Sequence, residues 1–412
     1  MRKHAMWGLY VFSAILVAVT VFFFYASYAF AQSAQLPDPA AEAAEAAEMA
    51  KSSKASLDGA RDLSELLEPI RREKKLPALA AAVVKDGRVT ALGAVGVRRA
   101  GGKERVTLRD RFHIGSCTKS MTATLCALLI EQGKLKWEST IGEVFSDQAD
   151  KILPAYHSVT LQQLLTHRSG IQDGSGTSQV WKNIWGLTGP MLGQRRKFVE
   201  LALAEKPAAA PGEKYIYSNY GFTIAGAMCE RVTRKSWEDL MREHLFRPLM
   251  MTTAGFGPPG NAQTVNQPWG HVVEMGKWKP MPPGPGADNP PVIGPAGTVH
   301  CSLADWAKYA TFHLRGERGE EPRLSAEVFR KLHTPLPDDS AAYAYGWLVA
   351  DRPWAGGKAL NHGGSNTMWM AVIWLAPLKG EAYLAATNVG NESSGPACDE
   401  AISKLIELTS RE

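Results

Sequence analysis

Phe112-His113-Ile114-Gly115-Ser116-Cys117-Thr118-Lys119-Ser120-Met121 is the stretch on which the reading of this chain turns. Good helix formers continue from it to Gln132 and stop at Gly133, so Ser116 stands where a helix begins. Lys119 follows three residues later, one turn along on the same face, where its amine can approach the Ser116 hydroxyl. A serine hydroxyl is a poor nucleophile at neutral pH and needs a nearby base, while a helix N-terminus offers N–H groups that stabilise developing negative charge. The pattern meets both needs. Ser-x-x-Lys arises easily by chance, yet Ser116 is the only serine in the chain with lysine at that spacing.

Two further segments carry possible chemistry. Tyr217-Ser218-Asn219 is the only Tyr-x-Asn in the sequence. A tyrosine hydroxyl serves as a base only when cations stabilise its phenolate, so Lys119 beside Tyr217 makes physical sense, with Asn219 holding either Lys119 or the substrate. Asn361-His362-Gly363-Gly364-Ser365-Asn366 runs into a long apolar stretch starting at Thr367. Gly363 and Gly364 would let a ligand approach the backbone, and an edge strand there would offer a second oxyanion N–H beside that of Ser116. A glycine turn feeding a strand accounts for the segment equally well.

Outward from these motifs, the pattern reads strand, helix, strand. Apolar residues at Leu63, Leu66, Leu67 and Ile70 give one amphipathic helix with Pro69 inside it. Residues 79–84 and 89–97 are β-branched runs joined at Asp86-Gly87, a hairpin signal. Thr160-Leu161-Gln162-Gln163, Ser236-Trp237-Glu238-Asp239 and Ser302-Leu303-Ala304-Asp305 have capping-box form ahead of apolar runs. Strands return at about 345–350, 367–375 and 382–389, followed by a helix over 397–408. The economical α+β architecture is one antiparallel sheet built from both ends of a 58–412 domain, covered by the terminal helices. Its sheet lobe takes residues 58–115 and 291–412, and a helical lobe over 116–290 is inserted between them. The proline-rich 279–297 segment is the expected crossing back to the sheet.

Arg2, Lys3 and His4 precede an apolar run over 5–30, and Ala29-Phe30-Ala31 before Gln32 fits the cleavage site of a secretory leader. The run is also long enough to span a bilayer, so an uncleaved N-terminal anchor competes. Either reading sends the rest of the chain across the membrane, periplasmic, secreted or anchored. Residues 32–57, with Glu42, Glu45 and Glu48 set in alanine, read as a solvated linker. A balance of 46 Lys+Arg against 41 Asp+Glu in 412 residues is too even to suggest nucleic-acid binding. Five scattered cysteines argue against a disulfide scaffold and leave room for one internal bridge whose pair the sequence does not choose. There is no zinc-hydrolase histidine cluster and no Gly-x-Ser-x-Gly elbow.

Taken in order, Ser-x-x-Lys, Tyr-x-Asn and His-Gly-Gly resemble the serine β-lactamase-like superfamily, in its class C β-lactamase, D-aminopeptidase and carboxylesterase branch. The resemblance runs over about 66–408 and includes Leu164-Leu165-Thr166-His167-Arg168-Ser169-Gly170-Ile171, Pro211-Gly212 and Pro295-Ala296-Gly297. It implies a five-stranded antiparallel sheet flanked by helices plus an all-helical lobe. It implies Ser116 as the acylated nucleophile, Lys119 as its activator, Tyr217 as general base and acid, and Asn219 as a positioning group. His362 then stands where class C β-lactamases carry lysine, Ser116 and Ser365 supply the oxyanion N–H groups, and Gly363 and Gly364 adjoin the substrate. No cofactor or metal is implied, and the partners are small ester, β-lactam or D-peptide substrates. Neutral histidine is a weaker partner for a carboxylate than lysine, so an ester- or amide-cleaving hydrolase is favoured over an efficient β-lactamase. A D-peptide-trimming or penicillin-hydrolysing enzyme, or a penicillin sensor that acylates and stalls, are the alternatives. His167, Cys117, Trp181 and Trp185 are expected to be packing residues.

Overall fold

The structure is a computed structural model that describes residues 59–411 apart from 175, 338 and 339. The leader and linker expected over 1–57 fall outside the described residues. Among those described, no helix is long and apolar enough to cross a membrane.

In chain order the strands are β1 (Arg61–Asp62), β2 (Ala78–Lys85), β3 (Arg88–Gly96), β4 (Arg111–His113), β5 (Gly255–Phe256), β6 (Gly270–Glu274) and β7 (Lys277–Met281). They continue as β8 (Val299–Ser302), β9 (Tyr343–Ala344), β10 (Trp347–Arg352), β11 (Gly357–Ser365), β12 (Met370–Ala376) and β13 (Glu381–Thr387). The long helices are α1 (Ser64–Glu73), α2 (Thr118–Glu131), α3 (Met191–Leu203), α4 (Asn219–Thr233), α5 (Leu303–Glu317) and α6 (Ser394–Thr409).

The main sheet is ordered β1-β3-β2-β13-β12-β11-β10-β9 and joins the two ends of the described chain, as the sequence pattern predicts. The β2–β3 hairpin turns on Asp86 and Gly87, both at positive φ. Along β2, Ala80, Ala82 and Val84 pack into a core that includes α5, while Leu79, Ala81 and Val83 pack into a second core with Leu67 and Ile70 of α1 and Ala397 and Ile402 of α6. The strand is apolar on both faces because helices cover both.

Two expectations are corrected. The sheet has eight strands, because β9 and β10 extend one edge and the two-residue β1, parallel to β3, extends the other. The inserted lobe is not all helical: β5 joins β4 and β8 in a three-stranded sheet, and β6 and β7 form a hairpin. These short strands carry little apolar alternation, and β7 contains Pro280, so periodicity does not reveal them. The proline-rich segment consequently leads into β8 and not directly into the main sheet.

Helix α2 is the hub of the helical side, with every residue from Thr118 to Leu129 buried. The capping box at Thr160 and Gln163 forms in both directions, and Ser236 and Ser302 each accept the amide of the residue three further on.

Candidate active site

Gly115–Cys117 forms a single tight turn that leads directly into α2, so Ser116 projects from the helix start while Lys119 lies one turn in. Lys119 is fully buried, and its Nζ donates to Ser116 Oγ at 3.0 Å, Asn219 Oδ1 at 2.7 Å and the Ala296 carbonyl at 2.7 Å. Three acceptors in fixed directions leave the amine little freedom. Burial pushes its pKa down to about 7, opposed by the nearby Asp173 carboxylate. A large fraction of Lys119 is therefore the neutral amine near neutral pH, able to accept a proton from Ser116.

Tyr217 lies just ahead of α4, whose N-cap Ser218 accepts the Gly221 amide. The Tyr217 hydroxyl donates to Ser116 Oγ at 2.9 Å, and the Lys119 amine stands 4.8 Å from the centre of its ring. Burial pushes the Tyr217 phenol up, so it rests protonated. Two segments about 100 residues apart thus converge on one hydroxyl, and the Ala296 carbonyl of a third holds the amine.

A profile of the family described as Beta-lactamase matches residues 63–405. The chain belongs to that family. It is 28% identical to penicillin-binding protein 4 of Amycolatopsis lactamdurans over 339 residues, which cover 80% of this chain and 85% of the relative. It is 25% identical to a β-lactamase of Pseudomonas fluorescens, over 76% of this chain and 80% of the relative. Among solved structures, the octameric penicillin-binding protein homologue from Pyrococcus abyssi superposes with a TM-score of 0.68 at 25% identity, covering 84% of this chain and 76% of that one. As a member of the Beta-lactamase family, the chain is a serine hydrolase of that fold.

In this Beta-lactamase-family site, β11 supplies the third wall. Its residues 357–361 pair with β10, whereas His362 to Ser365 pair only with β12 and turn their other edge to the Ser116 turn. The Cys117 thiol donates to the His362 carbonyl at 3.3 Å, tying the two segments together. Gly364 is used differently from the expectation: it is buried against the backbone of Ser116 and Cys117, so its missing side chain admits protein rather than ligand. Gly363 is half-buried, with Met370 beside it.

His362 is buried and does not hydrogen-bond to Ser116. Its Nδ1 faces the Gly363 carbonyl at 2.6 Å, and its Nε2 lies 3.1 Å from the Tyr343 hydroxyl, which is placed to donate to it. Burial, with help from the Lys119 charge, pulls its pKa down to about 4, so the ring is neutral.

His167 is fully buried at positive φ. Its Nδ1 accepts the Ser218 amide at 3.0 Å, and its ring lies 4.3 Å from that of Tyr217, so it shores up the tyrosine from behind. Cys117 is buried, Trp181 is half-buried and Trp185 is largely exposed. All five thiols are free and buried, although Cys126 and Cys229 Sγ approach to 3.4 Å.

Three groups around the site escape a reading of the sequence. Asp173 Oδ2 accepts from Asn219 Nδ2 at 2.9 Å, but in Ile171-Gln172-Asp173-Gly174 it reads as a loop residue. Tyr343 sits in a two-residue strand. Ala296 contributes only its main chain, so its side chain carries no signal.

Proposed function

We propose that this protein is an exported serine hydrolase that cleaves ester or amide bonds through an acyl-enzyme on Ser116. The observation that carries this reading is the pair of hydrogen bonds on Ser116 Oγ, one to an amine whose neutral form is available and one to a protonated phenol.

In acylation, neutral Lys119 takes the Ser116 proton as Oγ bonds to the substrate carbonyl carbon, and Tyr217 gives its proton to the departing alcohol or amine. The resulting phenolate lies beside the new ammonium of Lys119, which offsets the cost of burying either charge alone. In deacylation the phenolate takes a proton from water, the hydroxide attacks the ester carbonyl, and Ser116 Oγ leaves with the Lys119 proton. Both residues return to their starting state. Asn219 holds the amine on line, and the backbone N–H groups of Ser116 and Ser365 would receive the carbonyl oxygen of the tetrahedral intermediate.

The substrate is expected to be an ester or peptide more than a β-lactam. His362 is neutral and already engaged by Tyr343 and Gly363, so it makes a poor partner for the carboxylate of a penicillin. The test is a panel of short-chain aryl esters, D-alanyl peptides and a chromogenic cephalosporin given to wild type and to Ser116→Ala. Turnover of esters or peptides that vanishes in the variant, with a transient acyl adduct on Ser116 by mass spectrometry, is the expected result. Activity that survives Ser116→Ala would overturn it.

A further inference from the structure

Behind the oxyanion side of the site lies a buried polar network that the acyl-enzyme chemistry does not use. The Gly115 amide, immediately before the nucleophile, donates to His113 Nδ1 at 3.1 Å. Because Nδ1 accepts, the ring proton sits on Nε2, which lies 2.8 Å from Asp288 Oδ2. The other carboxylate oxygen, Oδ1, accepts from Asn366 Nδ2 at 2.8 Å and from the Asn289 amide at 2.7 Å. Asn366 directly follows Ser365, and its own Oδ1 accepts the Met368 amide at 3.1 Å. His113, Asp288 and Asn366 are all buried. A buried carboxylate is tolerated when donors surround it, and here the donors come from the nucleophile turn, from the end of β11 and from the chain adjoining the aspartate.

We infer that Asp288 is a positioning residue that keeps the two oxyanion donors in register, holding the Gly115–Ser116 turn through His113 and the Ser365 end of β11 through Asn366. Backbone N–H groups have no side chain to adjust their aim, so their direction is set by the conformation of the segments that carry them. Gly115 is at positive φ and packs on the Ser365 backbone, so a tilt of either segment moves one donor against the other. Misplacement by about 1 Å can cost about 100-fold in rate. The network lies one layer behind the reacting atoms, touches neither Lys119 nor Tyr217, and rests on the Ser116 acyl-enzyme reading above.

The test compares Asp288→Asn and Asn366→Ala with wild type on an aryl ester, and measures inhibition by an arylboronic acid, whose tetrahedral serine adduct places a hydroxyl in the oxyanion position. The expected result is a fall in kcat of about 10- to 100-fold with KM within about threefold, and a parallel loss of boronate affinity. A merely structural role would lower the melting temperature without that parallel. Folded variants with kcat and boronate affinity within about twofold of wild type would overturn the inference, as would a loss confined to KM. If Asp288→Asn does not fold, Asn366→Ala decides, since it cuts only the β11 branch. Full activity of Ser116→Ala would instead sink the acyl-enzyme reading itself.

Discussion

Gly364 lies so close to Ser116 that a β-carbon built on it would stand 2.7 Å from the Ser116 amide nitrogen, and closer still to the Ile114 carbonyl oxygen. Backbone cannot yield as a flexible side chain does. Gly364→Ala must therefore push β11 away from the nucleophile turn, and ester turnover should fall at least about 100-fold. At Gly363 the added carbon would meet only the Met370 methyl, at 3.4 Å, so Gly363→Ala should lose far less. Equal activities for the two variants in a steady-state ester assay would contradict this packing.

Lys119 ties activity to pH. With its pKa pushed down to about 7, kcat/KM should rise to a plateau through about pH 7, because only the neutral amine can take the Ser116 proton. The same shift has a stability consequence. The folded-state pKa lies below the ordinary lysine value of 10.5, so between about pH 7 and 10.5 the unfolded chain binds more protons than the folded one. Stability should therefore gain with rising pH across that window, and Lys119→Met should lack that gain. Urea midpoints for both proteins at several pH values check the sign.

The His362 environment makes a further prediction. Lysine at this position would place an ammonium near Lys119 in a buried setting, so His362→Lys should lower the melting temperature and tighten penicillin binding several-fold. Penicillin kinetics identical to wild type would show that this position does not govern anion recognition. Tyr343→Phe should cost about 1–3 kcal/mol in denaturant unfolding, since it leaves His362 Nε2 buried without its donor.

Cysteine chemistry should be silent in the folded state. Burial pushes the Cys117, Cys301 and Cys398 thiols up, and the contact with Cys126, then burial, pushes up that of Cys229, so almost no thiolate of these four is present at neutral pH. A thiol-specific reagent should label none of the five natively and all five after unfolding. A count of three after unfolding without reductant would mean a bridge, and the 3.4 Å approach of Cys126 and Cys229 makes them the pair to examine.

The parts of this protein that could be read in its sequence are those with local signatures. The β2–β3 hairpin follows from Asp86-Gly87, the Thr160 helix start from its capping box, and the Ser116–Lys119 contact from helical spacing. The meeting of Tyr217 with Ser116 across about 100 positions has no local cause: the need of a tyrosine base for a cation points to Lys119 beside it, and the family resemblance supplies the rest. Strand β11 is legible only as one of two readings of its glycine-rich stretch, because its glycines and polar residues break the alternation that marks strands and its pairing with β12 is set by tertiary packing. His113, Asp288 and Asn366 looked like unrelated polar residues, because the link between them is a carboxylate in a segment whose prolines suppress any periodic pattern.

The Ala296 carbonyl among the acceptors of Lys119 has an evolutionary consequence. A contact made by the main chain survives any amino-acid change at that position that leaves the fold of the segment intact. Ala296 is itself buried, so a mutational library at 296 would accept only residues near alanine in size. The lysine contact would survive those while remaining hostage to neighbours that set the path of the chain. Pro295, packed tightly on Gly226, is such a neighbour, and the genetic vulnerability of the amine would register there.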